Sequence, residues 1–340
     1  MTEVLITGAG GAIGIHMLAT VLQQTNWNVV ATDSFRHKGD FDRITTLLLG
    51  LGYDARNRVH ILPHDLSVPF SRRQVDRLHH VDYIINLASL SDVEDSIQEP
   101  VPFIMNNTAL VLNMLELARQ CTGLGAFVQF STDEVYGPDV ADGDGHPEWD
   151  TILPSNPYAA SKAAQEAIAI SYWRSYGVPI VITNTMNNFG EMQGADKYPV
   201  KVQKAVADGR TVEVHTSCDG QIGSRHYIHS ANAADAVLFI LRRGDAYRHQ
   251  SGQIDRPDRY NIVGDARLDN LEMAQKIAEL MGKPLTVRHV NFHADRPGHD
   301  LHYGLDGSKM KAAGWKPPES FDASMARTIA WQKANKEWIS

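Results

Sequence analysis

The stretch Val4-Leu5-Ile6-Thr7-Gly8-Ala9-Gly10-Gly11-Ala12-Ile13-Gly14 decides the fold class. Val4–Thr7 is a short β-prone apolar run, and from Ile13 to Leu22 apolar residues recur at helical spacing. Between them, Gly8, Gly11 and Gly14 form a turn that leads a strand straight into a helix. Such a turn needs backbone angles closed to other residues, and a pyrophosphate must come close to the main chain; glycine meets both demands. The free N–H groups at the helix start then face the phosphates. Glycine spacing alone is common, but its place between strand and helix makes it a dinucleotide site. Gly8, Gly11, Ala12, Ile13 and Gly14 are its expected cradle.

Moving outward, Trp27–Ala31, Val59–Leu62, Tyr83–Leu87 and Phe127–Phe130 read as further strands, with helical stretches between them, the clearest being Asn107–Arg119. This alternation predicts βαβ units: an α/β fold with a Rossmann-type parallel sheet flanked by helices. A helix is expected from just after Pro157 to about Tyr176, then a strand at Pro179–Thr183. Beyond it the alternation becomes irregular, with helices at Lys197–Asp208, Ala231–Arg242, Asn270–Met281 and Ala323–Lys333. Shorter strands are expected at Val212–His215 and Thr286–Val290. Residues 1–187 are therefore expected to form the dinucleotide-binding domain. Residues 188–340 should form mainly a smaller mixed α/β substrate lobe, with some later segments returning to the large sheet.

The chain has 340 residues and a formal net charge of -8, with 43% hydrophobic and 21% charged residues. That balance excludes disorder and argues against a general nucleic-acid binder. Two cysteines, Cys121 and Cys218, offer neither a disulfide framework nor a thiolate cluster. No HExxH or Cys/His array is present, so no metal site is expected. No uninterrupted apolar run has the length of a membrane span, and the N-terminus lacks a signal-like pattern; a cytoplasmic, membrane-free protein is the expectation.

Asp33 ends the second strand, 19 residues after Gly14. A carboxylate there accepts hydrogen bonds from adenosine ribose hydroxyls and repels a 2′-phosphate, which favours NAD over NADP. Arg36, His37 and Lys38 are the opposing signal. Asp65 and Leu66 follow the third strand and either border the adenine or serve as helix cap and core residue. Ala88 follows the fourth, where main chain should run beside the cofactor.

Tyr158 and Lys162 lie four apart on one helix and share a face. An ammonium near a phenol favours the phenolate, giving a base for removing a carbinol proton as hydride leaves carbon. Ser131-Thr132-Asp133-Glu134-Val135-Tyr136-Gly137 follows the fifth strand, where parallel sheets place their chemistry. It reads either as a capped first turn or as a paired acid and base, the latter only if the two environments separate their pKa values.

The chain resembles the extended short-chain dehydrogenases/reductases acting on nucleotide sugars, and among them the dTDP-glucose 4,6-dehydratases. The glycine turn and Tyr158/Lys162 carry the superfamily. Ser131-Thr-Asp-Glu-Val-Tyr-Gly137, Ser155-Asn-Pro-Tyr158-Ala-Ala-Ser-Lys162, Asn187-Asn188-Phe-Gly190 and Asp295-Arg-Pro-Gly-His-Asp300 carry the branch. The resemblance implies a lyase with internally recycled NAD. Tyr158 deprotonates the sugar 4-hydroxyl, Thr132 holds the same oxygen, Glu134 takes the C5 proton and Asp133 protonates the departing 6-hydroxyl. It also implies a nucleotide-diphosphate sugar held by Asn187, Asn188, Arg225, Tyr227, Arg296 and His299, and a homodimer through a four-helix interface.

Three segments depart from the family pattern: His226 after Arg225, Ala88–Glu94, and Glu191-Met-Gln-Gly-Ala-Asp196. They leave the nucleotide and sugar open. A 4-epimerase, a decarboxylase or a 5,6-dehydratase on the same scaffold is the alternative, and a non-catalytic nucleotide-binding regulator is a different class altogether.

Overall fold

The computed structural model describes the chain except residues 140–142, 245–246, 249–254, 292–299 and 339–340. Its strands are β1 (Glu3–Thr7), β2 (Asn28–Asp33), β3 (Val59–Pro63), β4 (Tyr83–Asn86), β5 (Ala126–Thr132), β6 (Ile180–Thr185), β7 (Asn187–Phe189), β8 (Val212–Thr216), β9 (Ser224–His229), β10 (Asp258–Ile262), β11 (Ala266–Asp269) and β12 (Val287–Asn291). Its α-helices are α1 (Ala12–Gln24), α2 (Phe41–Leu51), α3 (Tyr53–Asn57), α4 (Arg72–Leu78), α5 (Val93–Gln98), α6 (Pro100–Gln120), α7 (Pro157–Tyr176), α8 (Tyr198–Ala207), α9 (Ser230–Arg242), α10 (Asn270–Met281), α11 (Ser308–Ala312) and α12 (Phe321–Ala334).

Seven strands form one sheet in the order β10-β6-β5-β4-β1-β2-β3. Every neighbouring pair is parallel. Strand order reverses between β1 and β4, which opens a crevice at their carboxyl ends, where doubly wound sheets bind ligands. Alternation along β1 shows how both faces are buried: Val4 and Ile6 join the core under α1 and α9, while Leu5 joins the core under α6 and α7. β10 is the late segment that returns to the large sheet, although sequence periodicity does not single it out. A three-stranded sheet, β11-β9-β7, and the pair β12-β8 cover the far side of the cleft. They pack on α8, α10 and α12 around a third core that contains Val214, Ile277 and Met325.

Helix ends follow the expected chemistry. Asp269 caps α10 through a reciprocal box with Glu272. α7 opens with Asn156 as cap and Pro157 in its first turn, and stops at Gly177 in the left-handed conformation. By length and composition α6 could cross a membrane, which the expectation of no such segment did not anticipate. Here it packs on α7, with Leu110, Met114 and Leu117 in the core. Met105, on the same helix, is exposed.

Candidate active site

The glycine turn is built for close approach. Gly8 has φ +64, and a Cβ on it would lie 3.1 Å from the Ala88 backbone. A Cβ on Gly14 would fall 1.9 Å from the Gly8 carbonyl oxygen, so helix and turn meet only through glycine. Gly11 caps α1 without a side-chain bond, leaving its first N–H groups for an anion. Thr7 brings the β4 loop alongside: its hydroxyl accepts from the N–H groups of Leu87 and Ala88, both at 3.0 Å.

Asp33 is nearly buried, and its carboxylate accepts from Gly10 N and Phe35 N, each at 3.0 Å. The opposing cations are engaged elsewhere. Arg36 pairs with Asp65 at 2.9 Å, and Lys38 sits between Asp92 at 2.8 Å and Asp196 at 2.6 Å. The Asp65 carboxylate also accepts from the Ser67 amide and hydroxyl, and Leu66 lies in the core. Leu66 is thus the core residue of its plainer reading, while Asp65 closes a local turn and is not the helix cap, since Ser71 caps the next helix, α4. The Cβ-free trench, the unsatisfied helix start and the carboxylate at the end of β2 suit a dinucleotide.

Thr132 ends β5 and caps a short 3-10 turn, Asp133–Tyr136, that carries both acids. Its hydroxyl donates to Asp133 Oδ1 at 2.9 Å, and the Glu134 N–H donates to the same oxygen at 3.1 Å. Burial pushes Asp133 up to about 6, against the Thr132 hydrogen bond and the Arg225 charge. Burial and then the Asp133 charge push Glu134 up to about 7, against a hydrogen bond from Asn156. The same cause raises both acids by a similar amount, so the two environments do not by themselves set the acids apart as the sequence reading required.

Tyr158, in the first turn of α7, is driven well above its ordinary value by burial and by the Glu134 and Asp133 charges, while a hydrogen bond with Thr132 acts the other way. The expected phenol–ammonium contact is not made. Lys162 Nζ instead donates to the Phe130 carbonyl at 2.6 Å and to Gln165 Oε1 at 2.8 Å. A buried ammonium takes the nearest oxygens, and β5 offers one directly beneath the helix. Burial lowers Lys162 to about 8, with Glu166 opposing.

At the substrate end, Arg225 donates to the carbonyls of Ser224 (2.8 Å), Leu301 (2.6 Å) and Asp300 (2.6 Å), and lies over the Tyr303 ring. Its charge acts on both acids and opposes their rise. Asn188 Nδ2 donates to the Met186 carbonyl at 2.9 Å, while its buried Oδ1 has no partner among the described residues. Tyr227 is buried in the third core, and a hydrogen bond with Asn187 links the two. It packs against protein and does not line an open cleft, because β9 turns this residue inward. Arg296 and His299 lie outside the described residues.

Sequence reasoning missed Asn156, which caps α7 and donates to Glu134 Oε2 at 3.1 Å. The Asn-Pro helix start was the available signal. It also missed Tyr303 and Lys197, both close enough to influence or feel Glu134; their loops give no periodic signal. His16, Glu191 and His229 converge within 4.8 Å. His229 Nδ1 accepts the Ala231 N–H at 3.1 Å, so its Nε2 carries the proton that goes to Glu191 at 3.0 Å. His16 Nε2 meets the Glu191 carbonyl oxygen, and Arg327 also holds the Glu191 side chain. With its nitrogens committed this way, the trio is a hydrogen-bonded clasp.

A family model described as GDP-mannose 4,6 dehydratase matches residues 5–328. The chain is 32% identical to the low-salt glycan biosynthesis protein Agl12 of Haloferax volcanii over 98% of this chain and 100% of that protein. It is 28% identical to the dTDP-glucose 4,6-dehydratase of Salmonella typhimurium, covering 99% and 94%. Among solved structures, the dTDP-glucose 4,6-dehydratase DesIV of Streptomyces venezuelae with NAD bound superposes with a TM-score of 0.85 at 30% identity, covering 99% and 98%. The UDP-glucose 4-epimerase of Thermus thermophilus with NAD follows at a TM-score of 0.81 and 25% identity, covering 98% and 99%. The glycine trench, the acid-bearing turn and the match along nearly the whole chain agree: the protein belongs to the GDP-mannose 4,6 dehydratase family.

Proposed function

We propose that this chain is a nucleotide-sugar 4,6-dehydratase, a hydro-lyase that converts a nucleotide hexose to its 4-keto-6-deoxy product. The observation that carries the reading is the acid pair at the end of β5, buried Asp133 and half-buried Glu134, raised to about 6 and about 7 beside Tyr158. A simple epimerase needs no such pair.

NAD would be held by Gly8, Gly11, Ala12, Ile13, Gly14 and Asp33, flanked by Asp65, Leu66 and Ala88. When bound it supplies the hydride acceptor for C4 and the hydride donor for C6. Tyr158 receives the 4-hydroxyl proton and passes its own to Thr132 Oγ1, whose proton goes to Asp133 Oδ1. This relay leaves Asp133 protonated, ready to donate to the departing 6-hydroxyl. Glu134 takes the C5 proton. The relay through Thr132, and not a difference between the two raised pKa values, divides the labour by loading Asp133 with the proton it donates. Lys162 orients the cofactor end of the site from beneath.

Asn187, Asn188 and Arg225 bind the nucleotide-diphosphate sugar, with Tyr227 supporting Asn187 and with Arg296 and His299 assigned by family resemblance. Residues 1–187 with β10 form the dinucleotide domain, and 188–340 mainly the sugar lobe. A homodimer is supported by the exposed apolar stripe on α6, where Val101 (69%), Met105 (64%) and Leu112 (44%) share one face. A cytoplasmic location suits two charged small molecules that do not cross membranes.

Mass spectrometry tests the reading. Purified enzyme would be mixed with dTDP-, UDP-, CDP- and GDP-hexoses, with and without added NAD. Loss of one water from one donor is expected. An unchanged mass with an altered sugar configuration would establish the epimerase instead.

A further inference from the structure

Behind the acid pair lies an ion pair with no solvent contact. Arg259 on β10 and Glu166 on α7 are both 0% exposed, and Arg259 Nη2 donates to Glu166 Oε2 at 2.5 Å. Arg259 Nη1 donates to the Tyr136 hydroxyl at 2.9 Å, and its guanidinium lies 4.1 Å from the centre of the Trp149 ring. Glu166 Oε1 accepts from Asn184 Nδ2 at 3.0 Å, and the same amide nitrogen donates to the Thr132 carbonyl at 2.9 Å. Thr132 and Tyr136 are the two ends of the turn that carries Asp133 and Glu134. One arm of the pair therefore grips each end of that turn. Glu166 also stands one helical turn beyond Lys162.

Desolvating two charges is costly, and a buried ion pair often adds no net stability over apolar residues of similar volume. What this pair does distinctively is connect. β10 is the late strand that returns to the sheet edge, and Arg259 ties it across β6 to the acid-bearing turn. We propose that Glu166 and Arg259 are a positioning pair for the reaction, clamping the turn that carries Asp133 and Glu134 onto the helix that carries Tyr158 and Lys162. The proposal rests on the dehydratase reading of those catalytic residues.

Electrostatics extends the same geometry. Lys162 is buried against the Phe130 carbonyl of β5 and Gln165 of α7. Glu166 is the charge that supports its ammonium. The 3-10 turn presents Asp133 and Glu134, which act on Tyr158, and β10 presents Arg259 to Glu166. β6 contributes the neutral Asn184, α6 the Asn107 carbonyl and side chain, and α5 the Ser96 hydroxyl.

The test uses full-length Glu166→Gln, Arg259→Met and the double variant. Two readouts apply: turnover of the nucleotide sugar, and the titration of Lys162 followed by NMR on protein with carbon-13 at lysine Cε, assigned with Lys162→Met. Glu166→Gln keeps the shape and an acceptor for Asn184 but removes the charge. It should move the Lys162 titration down by about one unit and lower kcat about tenfold near neutral pH, with KM little changed. Arg259→Met should lower the melting temperature by stranding Glu166. The double variant should recover much of that stability yet keep the shifted titration and the low kcat. If the double variant regains wild-type kcat along with its stability, the pair is structural only and the proposal falls. An unmoved titration in Glu166→Gln also overturns it. Should the wild-type protein dehydrate no donor, the functional reading fails separately, while the Lys162 titration still decides whether the clamp acts on the helix.

Discussion

Replacing Asp133 by Asn should make the protein more stable while removing its chemistry. The folded carboxyl sits at about 6 against an ordinary 3.8, because burial disfavours its charge. Between those two values the folded chain keeps a proton that the unfolded chain has released, so stability falls as pH rises through that window. Above it the full cost applies: a shift of about 2 units at roughly 1.4 kcal/mol each is on the order of 3 kcal/mol. Asn cannot ionise, and its carbonyl oxygen keeps the bonds from Thr132 and the Glu134 N–H. Its unmatched amide hydrogens cost about 1 kcal/mol, leaving a net gain of about 2 kcal/mol. With unfolding entropy near 0.7 kcal/mol per degree for a chain of this length, the melting temperature should rise by about 3 °C at about pH 8. At about pH 5 the ionisation cost is roughly halved, and most of the advantage should vanish. Scanning calorimetry of both proteins at the two pH values checks this. A variant that is less stable at the higher pH, or a difference independent of pH, would refute the claim that Asp133 is held in a medium hostile to its charge.

The remaining predictions follow from the same geometry. Gly14→Ala places a Cβ 1.9 Å from the Gly8 carbonyl oxygen and should destabilise by about 2 kcal/mol or more and abolish NAD retention, read from the cofactor content of purified protein. Asp33→Ala removes the carboxylate that orders Gly10 and Phe35 and should weaken NAD binding by roughly 10- to 100-fold, measured by titration calorimetry. Tyr158→Phe should lower product formation by about 10²- to 10⁴-fold. Glu134→Gln should permit C4 oxidation but stop the loss of water, seen as reduced nicotinamide without dehydrated product.

What could be read in advance was local. The glycine turn, the acid-bearing segment and the Tyr158 helix are each contiguous, and contiguous patterns of period 2 or 3.6 survive in a bare sequence. β10 was not separable, because Asp258–Ile262 is a short mixed run with a charged residue at its second position, Arg259. The buried Glu166, 93 residues earlier, makes that arginine tolerable in a sheet, together with the Tyr136 hydroxyl and the Trp149 ring. Asn156, Tyr303 and Lys197 share this difficulty. Each matters through Glu134, to which each is brought by tertiary packing. The Tyr158–Lys162 spacing was correct as helix geometry, yet the direction of the lysine was set by the Phe130 carbonyl on another element.

The departure at Glu191–Asp196 gains a different meaning from its contacts. Read along the chain, it follows Asn187-Asn188 and belongs with the sugar. In the fold, its side chains and carbonyls reach the dinucleotide side. Glu191 holds His16 of α1, the Met192 carbonyl accepts from Arg43 at 3.0 Å, and Asp196 holds Lys38. Arg43 also donates to the Gly10 carbonyl at 2.8 Å, which ties the glycine turn to the same segment. Lys38 follows β2 and its second partner, Asp92, follows β4. Because β1 lies between those strands, the Lys38–Asp92 pair spans the end of β1, where the glycine turn begins. Three of the sequence's unusual positions, Asp92, Glu191 and Asp196, are thus employed in joining loops around the cofactor trench. Their side chains and carbonyls bear on how the loops around that trench are held together.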